Sequence, residues 1–205
     1  MSRLEKLISI ASPSLCEAMP DSISVKLPGF AQLLKLRNGF TAFESALVVF
    51  PAKDAGGVLG LECWNALSGW RQKYLEALPA EFTCFAHDLF GGQFAASAWE
   101  IVKFDPETGE VDHYASSLEE WADRLLLNYS EDTGWPLAHE WQSLNRPLDP
   151  CERLLPKQPF ILGGDYIVQN LVPVEAEEAM NKWANIFNAI RSVPDGVPVT
   201  LSGWL

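Results

Sequence analysis

"FAHDLFGGQFAASAWEIVKFDPETGEVDHYASSLEEW", residues 85–121, holds the punctuation that decides the fold. An apolar run at 82–87 stops at Gly91-Gly92, a strand-like run from about 93 to 104 follows, and "DPETGE" (105–110) separates it from a third run at 110–115. Pro and Gly in that hexapeptide are hairpin signals, so the three runs predict an antiparallel meander. Ser117 and Glu120 then stand at capping-box spacing. Leu118, Trp121, Ala122, Leu125, Leu126 and Tyr129 recur at helical period, predicting a helix with its apolar face on that sheet.

Upstream, Ser2 and Glu5 form another capping box ahead of Leu4, Leu7, Ile8 and Ala11, a short helix ending before Pro13. "LPGFAQLLKLRNGF" begins a second helix near Pro28 that stops at Asn38-Gly39, where Gly39 suits a left-handed C-cap. "ALVVFP" (46–51) reads as a strand covered on both faces, and the Gly-rich "KDAGGVLG" after it as a loop. Trp64, Leu67, Tyr74, Leu75 and Leu78 fit one helical stripe over 61–78, with Trp70 off it.

Downstream, the prolines between 133 and 159 predict a wrapping connector with only short helical pieces. "FILGGDYIVQNLVP" reads as strand, Gly-Gly-Asp turn and strand. Ala176, Ala179, Met180, Trp183, Ile186, Phe187 and Ile190 trace an amphipathic helix, and Asp195-Gly196 turns into a last strand near 197–203.

Bulk composition narrows the partner classes. The 205 residues are 48% hydrophobic, enough for one sizeable core, and carry 27 Asp plus Glu against 15 Lys plus Arg, a net charge of -12. Such a chain repels phosphate backbones and anionic membrane surfaces, and it favours a basic protein as partner. Cys16, Cys63, Cys84 and Cys151 show no metal-ligand spacing and read as small buried hydrophobes. With no signal-like or membrane-length apolar run, the expected compartment is the cytoplasm.

The chemistry-bearing residues are mostly explained by structure. Gly91-Gly92 and Gly163-Gly164 lead into strand-like segments without a nearby P-loop lysine, so they read as turns, not phosphate cradles. Adjacent His87 and Asp88 would point to opposite faces of a strand and cannot act on one substrate as a pair. His87, His113 and His139 lie in separate elements, so neither metal nor cofactor is expected. No GxSxG or nucleophilic Cys context gives acyl transfer a foothold. Trp64, Trp121 and Trp183 belong to apolar stripes, whereas Trp99, Trp135, Trp141 and Trp204 lie off them and are candidate exposed anchors.

The order "LPGFAQLLKLRNGF", "LECWNALSGW" and the 85–121 segment resembles the SUKH superfamily, which includes fungal cell-wall-synthesis regulators, the bacterial Syd protein and many bacterial immunity proteins. The resemblance spans about residues 25–130. It implies an α+β fold, a central, mostly antiparallel sheet with flanking helices. The whole of 1–205 is then a single SUKH-like domain, with its core at about 25–130 and a C-terminal strand-strand-helix-strand extension at about 133–205. It also implies a non-enzymatic module, an immunity protein that neutralises a cognate toxin, often a nuclease, by stoichiometric binding. The alternatives are a regulatory adaptor for another cytoplasmic protein and, more remotely, a carboxylate-based hydrolase. On the immunity reading the partner is a basic toxin met by an acidic patch with aromatic anchors, for which Asp88, Phe90, Trp99, Glu107 and Trp135 are the candidates; no catalytic residue is expected.

Overall fold

The strand signals of the central segment resolve into one six-stranded sheet. A computed structural model describes residues 1–17, 25–191, 193 and 204 of the chain. Strands β1 (Phe40–Ala42), β2 (Leu47–Val49), β3 (Thr83–His87), β4 (Gln93–Ala96), β5 (Ile101–Phe104) and β6 (Val111–Ala115) lie in sequence order, each antiparallel to its neighbours. The expected strand over 93–104 is two. Ser97 breaks it: its amide bonds the Glu100 carbonyl at 3.0 Å and its hydroxyl accepts the Trp99 amide at 3.2 Å, so Trp99 sits on a hairpin turn. β1 carries no periodic signal of its own; it forms because residues 43–45 turn the chain back on β2.

Helices cover both faces, which explains why β2 and β4 are buried throughout. On one face, α2 (Phe30–Leu36) and α4 (Leu118–Thr133) bring Phe30 and Trp121 against Phe85, at 5.4 and 5.2 Å between ring centroids, and Trp121 also meets Phe94. The Ser117 hydroxyl accepts the Glu120 amide as expected, and α1 (Arg3–Ser9) packs on α4 with its own Ser2–Glu5 capping box. On the other face, α3 (Leu61–Trp64), a 3-10 turn (Trp70–Tyr74) and α6 (Ala176–Ile190) bring Trp64, Tyr74 and Phe187 over Phe50 and Phe104. Each buried aromatic of this kind stabilises the fold by roughly 1.5–3 kcal/mol. A register shift between Cys84 and Ala86 changes the alternation, so Phe85 meets the α4 side while His87 meets Phe50 and Trp64.

The single helix expected over 61–78 does not form. Asn65 ends it: its amide nitrogen donates to the Leu61 and Cys84 carbonyls, both at 2.8 Å, and its oxygen accepts the Cys84 amide at 2.8 Å. That tie to β3 outcompetes another helical turn. Leu67 and Leu75 are consequently exposed, and Trp70, off the predicted stripe, is buried. Helix α2 likewise ends at Leu36, earlier than expected, with Gly39 held left-handed beyond it.

The C-terminal part departs most from expectation. The connector contains a ten-residue helix, α5 (Trp135–Leu144), begun by Pro136 near its N-terminus, and a strand, β7 (Glu152–Pro156). β7 pairs with β8 (Leu171–Glu175) in a second, two-stranded antiparallel sheet. "FILGGDY" is therefore not strand and turn: Phe160–Leu162 is a 3-10 turn capped by Gly163, inside the 157–170 loop joining β7 to β8. Trp141 is buried, contrary to its reading as an exposed anchor. Of the four cysteines only Cys84 is fully buried, and Cys63 is exposed on α3. The strand expected at 197–203 lies outside the described residues. Helix α6 matches its periodicity. Among the described residues, no helix is long and apolar enough to cross a membrane.

Candidate functional site

Asp88 organises the turn between β3 and β4. One carboxylate oxygen accepts the Phe90 amide at 3.0 Å and the Gly92 amide at 2.7 Å; the other lies 3.4 Å from the Lys103 ammonium. A side chain at Gly92 would collide with that carboxylate at 2.4 Å. Burial pushes the Asp88 carboxyl up from its ordinary range, opposed by Lys103 and the two amides. Behind the turn, the fully buried Arg153 donates to the Asp88 carbonyl at 3.2 Å, the Ser45 carbonyl at 3.0 Å and the Pro150 carbonyl at 3.2 Å, pinning β7 to the central sheet. Its burial lowers the guanidinium to about 10, with the Asp88 charge resisting.

Glu107 organises the second wall. The "DPETGE" hairpin closes as read, with the Asp105 amide bonding the Glu110 carbonyl at 2.9 Å and the Gly109 amide bonding the Asp105 carbonyl at 2.8 Å. Within it the Glu107 side chain turns inward and accepts the Ile161 amide at 3.1 Å, holding the 157–170 loop against the hairpin. Burial raises Glu107 to about 7, against the pull of the Ile161 and Phe160 amides.

Between these walls lies a cavity of about 290 Å³. Among the described residues, its rim and floor carry six carboxyl groups, from Asp88, Asp105, Glu107, Glu110, Asp112 and Glu131, against a single cation, Lys103. The remaining surface is largely aromatic. Phe160 and Tyr166 stack face to face at 3.9 Å, and Phe90 meets Phe160 edge-on at 5.2 Å. Trp183 of α6 donates its indole N–H to the Phe90 carbonyl at 2.8 Å. Phe90 itself is half-buried, and Tyr166, Ile161 and Ile167 are exposed beside it. Concentrated negative charge next to flat apolar faces suits a cationic group carried on an apolar or planar stem, above all a guanidinium.

Three of the five anchors expected from the sequence, Asp88, Phe90 and Glu107, meet in this cleft. Two do not. Trp99 stands on the β4–β5 turn, 85% exposed and outside the cleft lining, and Trp135 is half-buried between Tyr129 (5.3 Å) and His139 (5.4 Å). The sequence reading misses Phe160 and Tyr166, because "FILGGDY" reads as strand and turn. Two aromatics flanking a Gly-Gly pair outside any apolar stripe were the signal. His87, His113 and His139 stay apart: His113 pairs with Glu100 and His139 with Glu44, each at 2.9 Å. Among the described residues, no cluster of three or more His, Cys, Asp or Glu is arranged to hold a metal.

No family model matches the chain, and no curated protein matches it. In three dimensions it is similar to the crystal structure of Atu4351 from Agrobacterium tumefaciens, with a TM-score of 0.58 at 13% sequence identity over 88% of this chain and 87% of that one. At that identity the likeness shows the α+β fold alone.

Proposed function

We propose that the protein is a non-catalytic binding module whose acidic, aromatic cleft receives a basic side chain of a partner protein. The observation that carries this is the group of four exposed carboxylates, Asp105, Glu110, Asp112 and Glu131, around a cavity partly walled by the Phe160–Tyr166 stack. Coulomb attraction from a chain of net charge -12 would draw a basic partner in, and the aromatic floor would hold the stem of its arginine. The SUKH resemblance gives this binding its purpose: neutralising a cognate basic toxin in the cytoplasm, by occluding the surface the toxin uses on its own anionic target.

A raised carboxyl such as Glu107 is also what a general acid needs, which favours the hydrolase as a second reading. Its engagement with the Ile161 amide argues for a latch holding the loop instead. Co-expression with the product of the adjacent reading frame separates these readings. Host survival only in the presence of this chain, with a one-to-one complex recovered, supports immunity; turnover of a substrate abolished by Glu107→Gln supports the hydrolase.

A further inference from the structure

A second cavity, of about 130 Å³, lies beneath the 53–60 loop. Its inner wall is formed by the buried Phe50, Val58, Trp64 and His87, and its outer wall includes the exposed Glu175 and Glu177. The His87 ring lies 4.8 Å from Phe50 and 5.4 Å from Trp64, is 1% exposed, and has no hydrogen-bond partner at either nitrogen among the described residues. The indole N–H of Trp64 is already committed, since it donates to Gln93 at 2.9 Å.

Burial and the charge of Arg153 hold the His87 imidazole neutral. A neutral imidazole presents one donor and one acceptor, and a hydroxyl complements it whichever nitrogen carries the proton. An ammonium can only donate, and a carboxylate can only accept. Arg153 further disfavours a cation at the inner end, while Glu175 and Glu177 favour one at the outer end and repel an anion. Between the two ends, aromatic and aliphatic walls suit a short methylene chain.

We propose that this cavity is a binding site for a small amino alcohol, with its hydroxyl on His87 and its ammonium toward Glu175 and Glu177. The site is independent of the acidic cleft and of any protein partner.

The test is titration of the full chain, carrying labelled histidine, with ethanolamine while the His87 ring nitrogens are followed by NMR. Saturable movement of those signals is expected, with ethylamine and ethanol binding about tenfold more weakly because each lacks one polar end. Replacing Glu175 and Glu177 together by Gln, both at exposed positions, is expected to weaken ethanolamine about three- to fivefold. His87→Phe is expected to abolish binding; should that variant fail to fold, the double Gln variant still decides. No saturable movement at His87, or equal binding of ethanolamine and ethylamine, would overturn the proposal.

Discussion

His87 and Asp88 are consecutive residues that line two different cavities: the His87 ring closes the apolar chamber against Phe50 and Trp64, and the Asp88 carboxylate anchors the acidic cleft. The strand ends at His87, and the turn that follows holds the Asp88 carboxylate on the Phe90 and Gly92 amides. This lets one strand end serve two chemically unlike surfaces.

Arg153 is the residue on which the second sheet depends. Arg153→Ala leaves the Ser45, Asp88 and Pro150 carbonyls without their donor and removes a buried cation near the Asp88 carboxylate. A loss of about 3–5 kcal/mol is expected from urea unfolding. Arg153→Met, which keeps the stem, is expected to lose less.

Stability should depend on pH with opposing contributions. Glu107 has its pKa raised by folding, so its contribution is fully present below about 4.5 and is lost as pH rises through about 7. His87 is depressed, so its contribution is fully present only above its unfolded value near 6.5 and is lost as pH falls below it. Below about pH 6.5 the His87 slope opposes those of Glu107 and of Asp88, whose carboxyl burial also raises; above it the His87 opposition is gone. Glu107→Gln is expected to flatten the fall in stability between pH 4.5 and 7, measured as the difference from the parent in urea midpoints across that range.

Gly109 joins the "DPETGE" hairpin to α6. Its φ is +79°, and an added Cβ would lie 2.3 Å from the Phe187 ring. Gly109→Ala is expected to destabilise by about 2–3 kcal/mol through backbone strain and overpacking together. Combining it with Phe187→Ala should give a change smaller than the sum of the two single changes, as unfolding of the four proteins of the cycle will show.

Trp99, although the most exposed tryptophan among those described, lies outside the acidic cleft. Trp99→Ala is expected to change stability by no more than about 0.5 kcal/mol and to leave cleft-borne binding intact. Loss of partner affinity in this variant would move the interface to the β4–β5 turn.

The meander and its covering helix were legible because local signals agreed: Gly91-Gly92, the "DPETGE" turn and the Ser117–Glu120 cap each specify geometry within a few residues. Where expectation failed, a long-range bond decided. Asn65 ends α3 by binding Cys84, nineteen residues away, which periodicity over 61–78 could not register. β7 exists because Arg153 and β8 receive it, while its proline-rich setting argued against any strand. The site was half legible. Asp88, Phe90 and Glu107 sit at readable turns, but Phe160 and Tyr166 reach the cleft through a loop that Glu107 draws in from more than fifty residues away.

Capture of a basic protein by the acidic cleft is read from the association rate of the purified complex against ionic strength. The parent is compared with a variant carrying Asp105→Asn, Glu110→Gln and Asp112→Asn, all exposed positions at the cleft. For the parent an association rate that falls at least about tenfold between low and high salt is expected, and for the variant a slower rate with a flatter salt dependence. Equal rates for both proteins, insensitive to salt, would contradict it.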